Sequence, residues 1–97
     1  MPPTTETVRA LIIAECSEAL GDLGLDGDAL DDGFDLRMNG VIDSLGFLEL
    51  KVALEQDLGF ELDLSDLPAD QLTVLGALAR AIAQQIALHA PSTEAQA

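Results

Sequence analysis

Tryptophan and tyrosine are missing from this chain of 97 residues, and three phenylalanines are its whole aromatic complement. With Ala and Leu dominant and β-branched residues sparse, that is the composition of a helical protein. The single cysteine, Cys16, excludes a disulfide within the chain. A lone thiol suits a reducing compartment. The start, Met1-Pro2-Pro3-Thr4-Thr5-Glu6, has no basic residue and no long apolar run, so it reads as neither a signal peptide nor a membrane anchor. A cytoplasmic monomer is expected, with no membrane association. Positive charge is scarce as well: four Lys and Arg face eighteen Asp and Glu, a formal −14. Nucleic-acid binding needs a cationic face to displace counterions, so it is disfavoured. The acidic surface favours solubility and steered encounter with basic partners.

What is present is apolar and periodic. Hydrophobic residues make up 48% of the chain, too many and too regularly placed for disorder. The length fits one domain that buries roughly 60–65% of its unfolded surface. Disordered ends are expected at 1–5 and 91–97, with the domain over 6–90. Thr4 or Thr5 can cap a first helix, with Glu6 in its first turn. Val8, Ile12, Cys16, Ala19, Leu20 and Leu23 follow in steps of three and four, and Gly21 or Gly24 ends the stripe. Cys16 lies on that stripe and reads as a packed core thiol.

Residues 21–43 keep no period. Gly and Asp punctuate them, and a connection this long is functional or disordered. Leu23, Leu25, Leu30, Phe34, Leu36, Met38, Val41 and Ile42 are expected to pin it onto the helices. The Asp-Gly richness suggests a calcium loop, but an EF-hand counted from Asp26 has Leu30 in fifth place, Asp31 in sixth and Arg37 in twelfth, where acid, Gly and Glu are required. No metal site is assigned.

The next helix is expected over Ser44 to Leu58, capped by Asp43 or Ser44 and stopped by Gly59. At 100° per residue, Phe47, Leu50, Leu54 and Leu58 share one face, which is the core face. Leu45, Leu48 and Val52 form a second apolar stripe on nearly the opposite side, flanked by Glu49 and Gln56, with Ser44 at its top edge. Either the long loop covers this stripe or it is offered to a partner. Phe60, Leu62 and Leu64 alternate along an extended linker and should face inward. Ser65 or Asp66 is expected to cap a single helical turn through Asp70, and Thr73 to cap a last helix. Pro91 ends that helix, and His89 at its end should be solvated. The sum is an all-α protein: a small four-helix bundle of three long helices and one short one, with a long loop between the first two.

No residue here has the company that catalysis needs. Ser44 has no imidazole within reach by sequence, since the one histidine lies near the C-terminus. The nucleophile elbow Gly-x-Ser-x-Gly fails at Ile42. No phosphate-binding Gly loop and no Cys/His metal spacing occurs. No catalytic residue is assigned, and the chain is expected not to be an enzyme.

Gly40-Val41-Ile42-Asp43-Ser44-Leu45, followed by Leu48-Glu49-Leu50, resembles the attachment motif of the acyl carrier and peptidyl carrier protein family. The likeness runs through most of the chain: helix, long acidic loop, the Asp-Ser-Leu helix, a short third helix and a last helix opening at Thr73. The resemblance implies that Ser44 receives a 4′-phosphopantetheine arm from coenzyme A, added by a separate phosphopantetheinyl transferase that uses Mg²⁺. Asp43 matches the family aspartate beside the attachment site. Leu45, Leu48, Glu49, Val52 and Gln56 match positions that family members present to partner enzymes. Those partners would be a loading enzyme (an acyltransferase, ligase or adenylation enzyme) and downstream synthase or modifying enzymes. The arm's thiol would carry acyl or aminoacyl groups as thioesters.

The departures bear on subtype. Stand-alone fatty-acid carriers usually have an acid-rich recognition helix. Here Lys51 interrupts it, the Val52 position is often methionine in those proteins, and Gln56 is uncharged. A free-standing carrier of polyketide or nonribosomal peptide biosynthesis is the expectation. A fatty-acid synthesis carrier and an unmodified helical adaptor are the alternatives.

Overall fold

The computed structural model describes residues 5–89. The α-helices are α1 (Thr5–Glu15), α2 (Ser17–Asp22), α3 (Ser44–Leu58) and α4 (Leu75–His89), with 3-10 turns at Gly27–Ala29 and Ala69–Gln71. No strand occurs among the described residues, only an isolated antiparallel bridge between Asp35 and Val74. The all-α bundle of three long helices and a short one is present as expected, but its short α-helix is α2, split from the expected first helix, and the turn expected after the linker is 3-10. The tail expected to be disordered at 91–97 and most of the start expected to be disordered lie outside the described residues; Thr5, counted in that start, instead opens α1.

Three local expectations need correction. The first apolar stripe is not one helix: it breaks at Cys16, whose N–H is shared between the Ile12 and Ile13 carbonyls, each at 3.1 Å. Nothing in Glu15-Cys16-Ser17 is a helix breaker, so periodicity alone gives no sign of the break. The turn after the linker starts later than Ser65. The Ser65 N–H and hydroxyl both donate to Asp63, at 3.1 and 2.6 Å, and Pro68 leads into the 3-10 turn at Ala69–Gln71. Its missing N–H costs nothing at such an entry.

The third correction concerns Thr73. Its hydroxyl does not cap α4 but donates to Asp35 Oδ1 at 2.7 Å. The helix N–H groups that a cap would satisfy are taken up by the long loop instead. Leu75 N–H donates to the Phe34 carbonyl at 2.8 Å, and Gly76 N–H to the Asp32 carbonyl at 2.9 Å.

The core is a column of aliphatic side chains. Val8 and Ile12 of α1, Leu50 and Leu54 of α3, and Leu75, Leu78 and Ile82 of α4 are buried in it. α1 packs against both α3 and α4. Phe47 and Leu58 of the expected α3 core face are half-buried against the same column. The linker turns Leu62 and Leu64 into the core, and Phe60 is half-buried against it. Gly24 and Gly59, both with left-handed backbone, end α2 and α3 (φ 72° and 85°), a conformation that a side chain would strain.

Most of the loop's apolar residues anchor it as expected. Leu30, Leu36 and Val41 are buried, and Leu25, Phe34 and Ile42 are half-buried. Leu23 and Met38 do not join them: both side chains are exposed. Arg9 of α1 clasps the loop from the other side, donating to the Leu30 carbonyl and standing 3.4 Å from the Asp32 carboxylate.

Candidate site at the mouth of the third helix

Asp43 takes the N-cap of α3. Its backbone is extended (φ −108°, ψ −170°), and its carboxylate accepts the Gly46 N–H at 2.6 Å. Of the two candidate caps, the aspartate is used. Ser44 is thereby the first residue of the helix, exposed, and its hydroxyl has no side-chain hydrogen bond among the described residues. An exposed, uncommitted hydroxyl sits where the helix N-terminus favours a phosphate group.

The approach to Ser44 is fixed by Asp35. One oxygen of this carboxylate accepts three hydrogen bonds: the Thr73 hydroxyl at 2.7 Å, the Arg37 N–H at 3.0 Å and the Met38 N–H at 3.1 Å. Partial burial acts to raise the pKa of this group, but the three donors and the nearby Arg37 charge outweigh it and hold the carboxyl below its ordinary value. Leu36 then donates its N–H to the Thr73 carbonyl at 2.8 Å, and its own carbonyl accepts Val41 N–H at 2.8 Å and Ile42 N–H at 3.2 Å. The backbone leading to Asp43 and Ser44 is in this way registered against the start of α4. Asp35 and Thr73 were not among the expected site residues. An Asp two and three positions before amides it can bond is a readable turn signal, but its partner Thr73 lies 38 residues away.

The outer stripe of α3 is uncovered. Leu45, Leu48 and Val52 are 64%, 56% and 50% exposed, whereas Leu50 and Leu54 on the inner side are 6% and 1% exposed. The alternative that the loop covers the stripe therefore fails. Glu49 and Gln56 are exposed beside it, and Leu48, Glu49, Val52, Ala53 and Gln56 enclose a shallow apolar depression of about 340 Å³. Lys51 does not project freely from this helix. It is half-buried and bonded to Glu55 at 2.7 Å, and Glu55 also accepts the Leu62 N–H at 2.8 Å. The Lys51 bond, then the Leu62 one, hold the Glu55 carboxyl below its ordinary value.

A second and larger hollow lies on the other flank of α3. It has a volume of about 780 Å³ and lies between the broken α1–α2 junction, the end of the loop and α3. Asp43 and Gly46, on either side of Ser44, belong to its wall, as do Arg37 and the buried Cys16. Burial, then the charge of Glu15, push the Cys16 thiol up to about 11, so at neutral pH it is a packed, protonated thiol.

The imidazole is far from Ser44. His89 was expected to be solvated. It is exposed, yet its ring stacks on Phe60 with centroids 4.2 Å apart. Phe60 follows the C-cap of α3, so the pair sits at the end of α3 opposite Ser44, about 20 Å away at 1.5 Å per residue. Asp26, like Asp35, serves the loop backbone: it accepts the Asp28 N–H at 2.9 Å and caps the first 3-10 turn. Among the described residues no cluster of His, Cys, Asp or Glu is arranged to hold a metal ion, and no helix is long and apolar enough to cross a membrane.

Comparison with known proteins bears on the whole arrangement. The family model described as "Phosphopantetheine attachment site" matches residues 7–82, from the first turn of α1 into α4. No curated protein and no solved structure matched the chain. A four-helix bundle with an exposed, uncommitted serine at the mouth of α3, matched by that model over most of its length, belongs to the phosphopantetheine-attachment family: it is a carrier of covalent 4′-phosphopantetheine, working with a phosphopantetheinyl transferase and acyl-handling enzymes.

Proposed function

We propose that Ser44 is the residue that carries the 4′-phosphopantetheine arm. Its exposed hydroxyl, left uncommitted because Asp43 already caps the helix at Gly46, is the observation that carries this assignment. In the transfer, the Ser44 oxygen forms a bond to the β-phosphorus of coenzyme A. The pyrophosphate P–O bond breaks, 3′,5′-ADP leaves, and the serine proton passes to a base on the transferase. Asp43 stands next to the reacting oxygen in the chain. Its capping bond keeps the first turn of α3 formed while the transferase acts.

The exposed Leu45, Leu48 and Val52, with Glu49 and Gln56, supply the surface on which partner enzymes would dock. The chemistry then belongs to those partners, and this chain delivers their substrate. Glu49 is the exposed charge beside the stripe, while Lys51 is folded back onto Glu55 and Gln56 is neutral, which favours partners that read apolar contact over an acid-rich helix. That supports a polyketide or nonribosomal peptide pathway over fatty-acid synthesis. The buried thiol of Cys16 is in keeping with a reducing compartment, the cytoplasm.

Incubation with coenzyme A and a broad-specificity phosphopantetheinyl transferase tests the assignment. A mass gain of one phosphopantetheinyl group is expected, and Ser44→Ala abolishes it. Failure of the wild-type chain to gain mass while a control carrier is modified would overturn the assignment and favour an unmodified adaptor.

A further inference from the structure

The turn that precedes Ser44 is held rigid although it lies at the surface. Every backbone N–H from Arg37 to Ile42 is hydrogen-bonded. Asp35 Oδ1 accepts the Arg37 and Met38 N–H groups at 3.0 and 3.1 Å, and the Asp35 carbonyl accepts that of Asn39 at 3.1 Å. The Arg37 carbonyl accepts Gly40 N–H at 3.1 Å, and the Leu36 carbonyl accepts both Val41 and Ile42. The Asn39 side chain adds a bond to the Asp35 carbonyl at 2.9 Å, and Gly40 turns the chain with left-handed backbone, φ 78°. Leu36 and Val41, the two feet of the turn, are buried. The conformational entropy of these residues is therefore given up already on folding.

What the turn holds up is Met38, which is 82% exposed. A lone exposed apolar side chain carries no meaning by itself. Met38 differs in its place. The nearest exposed large apolar side chain after Ser44 in the chain is Leu45, and the nearest before it is Met38. The turn also adjoins the attachment point in space, since Arg37 and Gly40 line the same hollow as Asp43 and Gly46. The methionine side chain is unbranched and polarisable, which suits it to fill an irregular socket on a partner. With a rigid backbone beneath it, little further ordering is needed when a partner closes on it.

We propose that Met38 is a docking knob for the phosphopantetheinyl transferase, received by an apolar socket on that enzyme. This rests on the assignment of the arm to Ser44. The choice of partner follows from reach. Acyl-handling enzymes act on a thioester at the far end of the arm, so they need not touch the surroundings of Ser44. The transferase meets a chain without an arm. It must bring the β-phosphorus of coenzyme A within bonding distance of the Ser44 oxygen, so its surface closes over the residues on both sides. The helix side offers Leu45 and the loop side offers Met38. The formal charge of −14 draws a basic enzyme surface from a distance. At the turn itself the exposed Arg37 works against such a surface, which leaves apolar contact as what the turn contributes.

The experiment uses the full chain, a broad-specificity phosphopantetheinyl transferase and coenzyme A. Mass spectrometry of the wild type first establishes the arm, and its loss in Ser44→Ala. If no arm is gained, the assignment of Ser44 falls and this inference with it. With the arm established, Met38→Gln keeps the length of the side chain and removes its apolar tip. It should raise the transferase's KM for this chain about tenfold, the order expected when an apolar side chain is withheld from an interface. The kcat should stay within about twofold, as for a contact made equally in the ground and transition states. Met38→Leu should restore KM. Both variants should melt with the wild type, because the Met38 backbone, not its side chain, makes the bond to Asp35. Methyl-labelled methionine gives a second reading without any variant. The chain has two methionines, Met1 and Met38, and the Met38 methyl alone should shift when unlabelled transferase is added without coenzyme A. An unchanged KM in Met38→Gln, a fall in kcat alone, equal losses in both variants, or a Met38 methyl that moves with an acyl-loading enzyme but not with the transferase would each overturn the proposal while leaving the Ser44 assignment standing.

Discussion

The Thr73 hydroxyl donates to Asp35 Oδ1 at 2.7 Å, joining the long acidic loop to the segment that opens α4 across 38 residues of sequence. Thr73 is buried and Asp35 is only half-buried, so water can partly replace the lost donor. Thr73→Val keeps the shape and removes the donor. It should cost about 1 kcal/mol in urea melts. Because Asp35 also orients the Arg37 and Met38 amides on the way to Ser44, transfer of the arm should slow as well. A variant with unchanged melting and unchanged modification rate would show that the bond has no part in holding the loop.

The acid side of the stability curve follows from the same carboxylate. The Asp35 and Glu55 carboxyls both lie below their ordinary values of 3.8 and 4.5 in the folded chain. Their contribution is complete above those ordinary values and is lost as pH falls through the depressed folded ones. Glu15 works the other way: its pKa is raised from 4.5 by Asp57, so stability declines as pH rises past 4.5 toward the raised value. Stability should therefore climb as pH rises to about 4.5 and then dip slightly. Glu15→Gln should remove the dip and leave the climb, as read from thermal melts across that range.

Where local chemistry decided the structure, the sequence was legible. Asp43 capping a helix that Gly59 stops, and two opposed apolar stripes on α3, could be read from spacing alone, because the 3.6-residue period and the cap depend on neighbours within one or two turns. The exposed place of Ser44 at the mouth of α3 was legible through the cap before it, and the attachment-site family through the motif around it. The start of α4 was not. Thr73 looks like a cap in sequence, but the carbonyls of Asp32 and Phe34 reach the helix first, and a contact between segments so distant leaves no periodic trace. The hollow at Cys16 was hidden for a similar reason, since it needs the helix break, the loop end and α3 in place together.

Leu54 and Leu48 separate core from surface on one helix. Leu54 is 1% exposed and Leu48 is 56% exposed. Leu54→Ala leaves a cavity in the α1–α3–α4 column and should cost about 2–5 kcal/mol. Leu48→Asp should leave the melt within about 0.5 kcal/mol of wild type. It should nevertheless impair loading or downstream processing of the holo-protein, because it places a charge in the exposed apolar stripe. Loss of helical circular dichroism in Leu48→Asp would return that residue to the core and withdraw the stripe as a docking surface.

Gly76 gives the sharpest test of the loop as the cap of α4. Helix propensity alone favours Ala over Gly by about 1 kcal/mol at an interior position. In this fold the preference should be reversed. A Cβ at Gly76 would lie 2.5 Å from Asp32 Cβ and 2.9 Å from the Asp32 carbonyl oxygen, the same oxygen that accepts the Gly76 N–H. Arg9 pulls Asp32 from the α1 side, so the loop cannot move away without giving up that ion pair. Gly76→Ala should therefore destabilise by about 1–3 kcal/mol. Amide exchange should accelerate at Leu75 and Gly76, whose N–H groups lose the loop carbonyls. If Gly76→Ala were stabilising by its helix propensity, with exchange at Leu75 unchanged, the loop would be lying beside α4 without capping it.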